Sequence, residues 1–336
     1  MIRWSTPRWW YRRSPPPFLA GAVLKPLSRV WAKTTADRLH QVQATDPGAP
    51  VVCVGNLTAG GSGKTPVVIE LARLLTEGGK RVVVLSSGYG GRLRGPVEVD
   101  PARHDARAVS DEALMLSRAA PVVVSRDRVA GGRLAVGAGA EVILMDDGHQ
   151  NPALAKVFSV ITVDGETRNG EWPFGGGGVI PAGPLREPLE TGLARADAVA
   201  VLLPVDVAAI DPDLTAVFGD REVWTARWVA DSEPLEGPHV GFAGVAKPWR
   251  VERTLRAAGW HLAGFRGFPD HAPITGAALR KIARHAARRG ARLVTTEKDW
   301  VRLPPEWRER VAVLRVRVRF DDEARVRDAL LSAVSR

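Results

Sequence analysis

Thr58-Ala59-Gly60-Gly61-Ser62-Gly63-Lys64-Thr65 is the stretch that decides the fold of this chain. An apolar run, 51–54, comes directly before it, and 66–75 after it carries apolar residues at helical spacing. Glycines let the backbone of a turn curl so that its N–H groups point inward, and a helix start adds free N–H groups and partial positive charge. A strand, a glycine-rich turn, Gly-Lys-Thr and a helix in this order predict a phosphate-binding P-loop.

The two last side chains of this stretch occupy the functional positions of a P-loop. Lys64 is predicted to reach the β- and γ-phosphates of a bound nucleotide, and Thr65 is predicted to hold Mg²⁺. The backbone from Thr58 to Gly63 is predicted to surround the phosphates. One position departs from the usual pattern, because Thr58 stands where a glycine normally opens the motif.

Length and composition limit the remaining possibilities. A chain of 336 residues that is 45% hydrophobic is expected to form about two packed domains. The single cysteine, Cys53, lies in the apolar run before the loop, so it forms no intrachain disulfide, and a reducing, cytoplasmic setting is expected. The sequence contains no apolar run of transmembrane length and no signal-peptide pattern.

The net charge of +10 is distributed unevenly along the chain. Residues 1–40 carry 8 Lys and Arg against 1 Asp and no Glu, and residues 245–336 carry 21 basic against 10 acidic side chains. The middle of the chain, 41–244, is acidic, with 18 basic against 26 acidic side chains. Basic ends suit anionic lipid, nucleic acid or an acidic substrate.

The first 40 residues combine aromatic side chains with cations and include a possible short amphipathic helix at 22–31. This composition is typical of a segment at a bilayer interface, where tryptophan lies among lipid headgroups and cations meet anionic lipid. A basic tail, or a helix packed on the main domain, would give the same composition. No nucleic-acid partner is expected, because no nucleic-acid motif accompanies the charge.

The rest of the chain alternates between apolar strands and helices. Continuous Val, Ile and Leu runs predict buried parallel strands covered by helices on both faces, hence an α/β fold with a doubly wound sheet and a second, smaller α/β domain. The expected organisation is a membrane-facing segment (1–40), a P-loop kinase domain (41–221), a connector (222–238) and the smaller domain (239–336). In the first domain the strands are expected near 51–54, 81–85, 97–100, 121–124, 142–146, 159–163 and 198–203. One later strand is expected at 311–319.

Asp146 and Asp147 end an apolar strand that follows the P-loop in the chain. Acidic residues in this position are typical of a Walker-B element, which positions Mg²⁺. An ordinary strand-to-turn junction would also place Asp before Gly. We favour the metal interpretation because two adjacent carboxylates follow the right kind of strand.

Two further residues have no distinctive signal in their spacing alone. Asp111 follows Ser110 at the start of a predicted helix, where a serine cap and acidic residues are common for stability. His271 is a lone histidine in a predicted loop. The stretch Thr296-Glu297-Lys298-Asp299 has its lysine one place too late for a guanine-specifying loop.

Taken together, the motifs resemble those of the tetraacyldisaccharide 4'-kinase (lipid A 4'-kinase) family. In that family the P-loop opens with Thr or Ser, as Thr58 does here, and Pro181-Ala182-Gly183-Pro184-Leu185-Arg186-Glu187-Pro188 is similar to a stretch specific to it. The resemblance covers residues 25–300. The other matching stretches, in chain order, are Gly88-Tyr89-Gly90-Gly91, Asp111-Glu112, Asp146-Asp147-Gly148 with Gln150, Phe268-Pro269-Asp270-His271 and Thr296-Glu297-Lys298-Asp299.

This resemblance implies transfer of the γ-phosphoryl group of ATP to the 4'-hydroxyl of a tetraacylated glucosamine disaccharide 1-phosphate. The glycolipid would be met at the cytoplasmic face of the bacterial inner membrane. Asp111 resembles the family's catalytic base and His271 its partner, while Asp146 and Asp147 would hold Mg²⁺. Arg186 would either contact an anionic group or serve the structure.

The chain departs from the family pattern at a few positions around these motifs. Ser87 replaces the usual Arg, His149 and Asn151 differ from the usual Walker-B continuation, and Gly175-Gly176-Gly177-Gly178 loosens the loop ahead of Pro181. Two other classes compete with the kinase. A P-loop switch ATPase or GTPase would carry a signature lysine where Ala59 stands, and a nucleic-acid-dependent ATPase is supported by charge alone.

Overall fold

The computed structural model of the chain describes residues 7–14, 18–245, 247–269 and 274–335. Residue contacts divide the chain into two units. The larger unit contains the described residues up to Leu202, together with Ile210–Ala226 and the end of the chain from Phe320. The smaller unit contains Leu203–Ala209 and Arg227–Arg319.

The fold is α/β, as the sequence predicts, with mainly parallel strands separated by helices. The strands, in chain order, are β1 (Val51–Gly55), β2 (Val82–Ser86), β3 (Val97–Glu98), β4 (Val122–Val124), β5 (Val142–Asp146), β6 (Phe158–Asp164), β7 (Ala198–Leu203), β8 (Glu222–Ala230), β9 (His239–Ala243), β10 (Leu262–Gly267), β11 (Arg292–Thr296), β12 (Val311–Leu314) and β13 (Val316–Phe320).

The helices follow the strands in the alternating pattern. They are α1 (Phe18–Gln41), α2 (Lys64–Glu77), α3 (Ala106–Val109), α4 (Asp111–Leu116), α5 (Arg128–Gly137), α6 (Leu189–Leu193), α7 (Pro212–Phe218), α8 (Pro248–Ala257), α9 (Gly276–Ala287), α10 (Glu297–Trp300), α11 (Pro305–Arg308) and α12 (Glu323–Val334). Short 3₁₀ turns occupy Arg8–Tyr11 and Arg168–Gly170.

Within the described residues, the larger sheet has the strand order β13-β8-β7-β6-β1-β5-β2-β4-β3. Strand β1 lies between β5 and β6 and pairs with both in parallel, while β3 pairs with β4 in the antiparallel direction. Every residue of β1, β2 and β5 is buried. Burial on both faces is the reason these strands are continuous runs of Val, Ile and Leu, without polar alternation.

The register of this sheet sets the position of the functional loops. Val54 of β1 is paired with Asp146 of the neighbouring strand β5. The P-loop after β1 and the residues Asp146 and Asp147 therefore lie at the same edge of the sheet. The loop after β5 passes close to β1, because a Cβ placed on Gly55 would lie 2.4 Å from the Cβ of His149. Ligands of open α/β sheets bind at this carboxyl edge.

The smaller sheet has the order β10-β9-β11-β12, with parallel pairing throughout. Its apolar core includes Phe242, Leu279, Ile282 and Leu293, which fill the space between β9, β11 and the amphipathic helix α9. A parallel sheet built from consecutive strand and helix segments is the arrangement predicted for this part of the chain.

Three local predictions differ from the structure. The strand expected at 311–319 is wrong as a single element: β12 belongs to the smaller sheet and β13 to the larger, with Arg315 between them. The helix expected at 22–31 extends over all of α1, with Pro26 inside it. Residues 222–230, expected as an extended connector, form β8 and join the larger sheet. The predicted domain boundaries stay a prediction, although the contact units divide the chain elsewhere.

Candidate functional site

The P-loop connects β1 to α2 through two glycines with positive φ. Gly60 has φ of +102° and Gly63, the residue before α2, has φ of +76°. Side chains other than glycine are strained in this left-handed region, so the turn requires glycine at both positions. The first N–H groups of α2 have no intrahelical partner, and groups of this kind commonly bind phosphate oxygens.

The first half of the P-loop is braced by the stretch 181–188. The N–H of Ala59 donates to the carbonyl of Pro184 at 2.7 Å, and the N–H of Arg186 donates to the carbonyl of Leu57 at 2.8 Å. The side chain of Asn56 donates to the carbonyl of Thr58 at 2.7 Å. The family-specific stretch therefore supports the P-loop directly, a role that its sequence alone does not indicate.

The site brings together three of the charged residues identified from the sequence. The Nζ of Lys64 lies 3.6 Å from Oδ1 of Asp147, and Nη1 of Arg186 lies 2.9 Å from the same oxygen. Burial raises the pKa of the Asp147 carboxyl, but the charges of Lys64 and Arg186 outweigh it, so the pKa lies below its usual value. Asp147 is therefore an anion held between two cations.

Asp146 has a different environment although it is the adjacent residue. Its side chain is buried, Oδ1 has no hydrogen-bond partner, and Oδ2 accepts a long hydrogen bond of 3.4 Å from the hydroxyl of Ser86. Burial, followed by the nearby charge of Asp147, raises its pKa to about 7. A buried carboxylate oxygen without a partner is costly unless a cation completes it, so Asp146 fits a metal ligand.

A buried arginine that the sequence does not single out fixes the strands at this edge. The guanidinium of Arg128 donates to the carbonyl of Leu85 at 3.2 Å and to the carbonyl of Asp146 at 3.1 Å. It joins the ends of β2 and β5 and holds the backbone that carries Asp146. Arg128 begins helix α5, and nothing in its local spacing distinguishes it from a surface arginine.

Asp111 begins helix α4, directly after a strained residue. Ser110 has φ of +88°, unusual for a residue with a side chain, and its hydroxyl accepts a hydrogen bond from the N–H of Ala113 at 3.2 Å. The carbonyl of Ala108 lies so close to Gly91 that a Cβ there would be 2.8 Å away. The glycine turn 88–91 therefore packs against the backbone that presents Asp111, which is half-buried.

The other proposed member of the catalytic pair, His271, lies outside the described residues. The pairing of Asp111 with His271 accordingly stays a prediction. The neighbour of Asp111, Glu112, lies near enough to Asp146 for its charge to contribute to the raised pKa of that residue. The start of α4 therefore lies near the acidic end of β5.

The loop after β5 is tied to its surroundings by His149, which departs from the family pattern, and by Gln150, which matches it. His149 is buried, and its Nε2 lies 2.9 Å from the carbonyl of Gly192. Burial, with the charge of Arg195, lowers the pKa of His149 to about 4, so the ring is neutral at physiological pH. Gln150 donates to the carbonyl of Asn56 and to Glu187, both at 2.9 Å, which ties this loop to the base of the P-loop.

A magnesium ion at this site would rely on few protein ligands. Across the described part of the chain, no group of three or more His, Cys, Asp or Glu side chains is arranged to hold a metal. Mg²⁺ commonly takes one or two carboxylates and completes its shell with water and substrate phosphates. Thr65, Asp146 and Asp147 match that donor set.

Comparison with known proteins places the chain among lipid kinases. A family model described as tetraacyldisaccharide-1-P 4'-kinase matches residues 20–335. A tetraacyldisaccharide 4'-kinase of Phenylobacterium zucineum is 58% identical over 326 residues, covering 96% of this chain and 97% of that protein. One from Caulobacter vibrioides is 54% identical over 334 residues, with 99% of each covered.

A solved structure has the same fold. The crystal structure of LpxK from Aquifex aeolicus in complex with ATP aligns with a TM-score of 0.73 and 25% sequence identity. The alignment covers 94% of this chain and all of that one. The relatives and the solved structure therefore agree with the motifs over almost the entire length.

Proposed function

The chain belongs to the tetraacyldisaccharide-1-P 4'-kinase family, and from this premise we propose how its residues perform the reaction. It is an ATP-dependent kinase that phosphorylates the 4'-hydroxyl of tetraacyldisaccharide 1-phosphate in lipid A biosynthesis. The observation that carries the proposal is the meeting of Lys64, Asp147 and the buried Asp146, whose Oδ1 has no hydrogen-bond partner, at one sheet edge.

ATP is proposed to bind with its phosphates on the backbone of Thr58–Thr65. The N–H groups of the loop and of the start of α2 point to phosphate oxygens, and Lys64 moves its charge from Asp147 to the β- and γ-phosphates. Arg186 remains beside Asp147 and keeps that carboxylate compensated. Thr65, Asp146 and Asp147 would hold Mg²⁺, and the bound ion would supply positive charge to the phosphoryl group during transfer.

Asp111 is proposed to act as the general base. The 4'-hydroxyl of the sugar loses its proton to the carboxylate as its oxygen attacks the γ-phosphorus, and ADP leaves from the opposite side. His271 would assist Asp111, as the family resemblance implies. Asp111 is half-buried at the first position of α4, so its carboxylate keeps an accessible face for a sugar hydroxyl.

The glycolipid acceptor is proposed to be met at the surface of the inner membrane, on its cytoplasmic side. No helix within the described residues is long and apolar enough to cross a bilayer. Helix α1 instead exposes an apolar stripe at helical spacing, formed by Val23, Leu27, Val30 and Trp31. The cations Lys25, Arg29 and Lys33 on the same helix are suited to anionic headgroups.

The polar groups of two α1 side chains attach the helix to the stretch beside the P-loop. The hydroxyl of Ser28 donates to the carbonyl of Val179 at 2.7 Å and accepts from the N–H of Ala182 at 3.0 Å. The indole N–H of Trp31 donates to the carbonyl of Arg186 at 3.0 Å. A helix that rests on the stretch beside the P-loop would therefore hold the nucleotide site next to the membrane surface.

The alternative of a switch ATPase or GTPase is not favoured. Ala59 replaces its signature lysine, and the relatives over the full chain are kinases. The direct test uses ATP labelled on its γ-phosphate, Mg²⁺ and tetraacyldisaccharide 1-phosphate in detergent micelles. Label is expected in the lipid product. Absence of labelled lipid, with ATP hydrolysis that a protein partner stimulates, would contradict the kinase.

A further inference from the structure

The aromatic segment Pro7–Ser14 contacts the P-loop, although it lies before the part of the chain that the family model matches. The hydroxyl of Tyr11 donates a hydrogen bond to the carbonyl of Ala59. The same hydroxyl occupies the space beside Gly60, where a Cβ would lie only 2.9 Å from it. Tyr11 is half-buried in this position.

With this contact, Ala59 of the loop is hydrogen-bonded through both its N–H and its carbonyl. The N–H of Ala59 donates to Pro184 at 2.7 Å, and its carbonyl accepts from Tyr11, so both backbone polar groups of Ala59 are fixed by distant parts of the chain. The peptide groups on the two sides of the Ala59 Cα are each held by one hydrogen bond, so both backbone torsions of Ala59 are restrained. The next residues, Gly60 and Gly61, have the most conformational freedom in the loop and gain most from such a restraint.

The segment that carries Tyr11 is itself anchored. The N–H of Trp172 donates to the carbonyl of Tyr11 at 2.7 Å, and Arg12 forms an antiparallel bridge with Glu171. The guanidinium of Arg13 lies 2.9 Å from Asp213 and 3.8 Å from the centre of the Trp172 ring. The restraint on the P-loop is therefore transmitted from the body of the larger unit.

One of the glycines that depart from the family pattern belongs to this anchorage. Gly175 has φ of +56°, and a Cβ there would lie 1.8 Å from the carbonyl oxygen of Trp10. No side chain fits between them, so glycine at 175 is needed for the segment to lie where it does. The glycine-rich loop 175–178 is thus in direct contact with the aromatic segment Pro7–Ser14.

The hydroxyl of Tyr11 remains a donor at physiological pH. Burial, with the nearby charge of Asp164, raises its pKa to about 12. Because the carbonyl of Ala59 can only accept, the hydrogen bond depends on this proton.

We propose that Tyr11 is a positioning residue that fixes the first half of the P-loop for ATP, and that the segment Pro7–Ser14 acts as a strap across the loop. The inference rests on the proposed nucleotide site at residues 58–65. It assigns to the N-terminal segment an effect on ATP, separate from its proposed contact with the membrane.

The test compares Tyr11→Phe with the wild-type protein. The ring is retained and one hydrogen bond is lost, so the dissociation constant for Mg²⁺-ATP and the KM for ATP should rise by about 2- to 10-fold. The KM for the lipid acceptor should stay unchanged. Hydrogen exchange should become faster at the amides of Gly60 and Gly61 and not elsewhere. A general loss of stability would instead speed up exchange throughout the protein.

The matched control is Thr76→Val. The hydroxyl of Thr76 donates to the carbonyl of Ala72 at 2.8 Å near the other end of α2, so this variant also loses one hydroxyl-to-carbonyl bond. Its ATP affinity should equal that of wild type. Unchanged or tighter ATP binding by the folded Tyr11→Phe protein would overturn the inference. Failure of the wild-type protein to bind ATP would instead contradict the proposed function.

Discussion

The Nζ of Lys64 lies 3.6 Å from Oδ1 of Asp147, so the P-loop lysine is paired with the acidic end of β5. Arg186 lies 2.9 Å from the same oxygen. If Lys64 turns to phosphate, as proposed, the guanidinium of Arg186 still pairs with the Asp147 carboxylate.

Replacement of the P-loop lysine should remove most of the electrostatic stabilisation of the transferring phosphoryl group. For Lys64→Ala we expect kcat/KM for ATP to fall by about 100-fold or more, as for the loss of other preorganised charge contacts. The measurement is label transfer to tetraacyldisaccharide 1-phosphate. Lys281→Ala removes an exposed lysine from α9 and should be neutral. Equal losses in both variants would mean that Lys64 has no special role.

Asp111→Ala should reduce turnover much more than nucleotide affinity. A positioned general base contributes about 100- to 10,000-fold, and the carboxylate is not assigned to the nucleotide itself. The measurements are kcat with saturating ATP and lipid, and the dissociation constant of Mg²⁺-ATP. Asp328→Ala, on the exposed surface of α12, is the control. If affinity fell and turnover held, Asp111 would be a metal ligand or a structural residue.

The buried Asp146 should make stability depend on pH when no metal is present. Its folded-state pKa is raised to about 7 from 3.8, so between about pH 4 and 7 the folded protein binds a proton that the unfolded chain has released. The free energy of unfolding should therefore decrease as the pH rises through this range, by up to about 1.4 kcal/mol per pH unit from this group. Above pH 7 this stabilisation is lost.

The corresponding experiment is urea unfolding in EDTA at a series of pH values. The side chain introduced by Asp146→Asn cannot titrate, so this variant should lose the decrease in unfolding free energy between about pH 4 and 7 that Asp146 causes. Asp328→Asn should keep that decrease. Addition of Mg²⁺ and ATP should stabilise the wild-type protein more at pH 8 than at pH 6, because the metal needs the ionised carboxylate. If the free energy of unfolding changed with pH equally in wild type and Asp146→Asn, the pKa of the Asp146 carboxyl would not be raised by folding.

The apolar stripe on α1 should determine binding to lipid. We expect the double variant Val23→Glu, Leu27→Glu to shift most of the protein from sedimented anionic vesicles to the supernatant, since it places two charges in the contact and removes two apolar side chains. Leu235→Glu changes another exposed apolar residue, which lies in the smaller unit, and should leave sedimentation unchanged. Identical sedimentation of all three proteins would contradict a membrane role for α1.

The sequence by itself determined the parts of this protein that are local. A strand, a turn and a helix in direct succession can be identified from glycine positions and apolar spacing, and β1 and α2 flank the turn as predicted. Phosphate binding by Thr58–Thr65 stays a prediction. The buried parallel strands were predictable for the same reason, since burial on both faces requires uninterrupted apolar runs. The proximity of Asp146 to the loop followed from the carboxyl-edge rule for such sheets.

Only the tertiary structure decided which distant residues complete the site. Arg186 contacts Asp147 across 39 positions and Tyr11 contacts Ala59 across 48, and neither pair has a signal in its own neighbourhood. The tertiary structure also decided that β12 and β13 belong to different sheets, with Arg315 as the single residue between them. Such contacts depend on the order of strands around β1, and strand order is set by the packing of the whole chain, not by the residues adjacent to each contact.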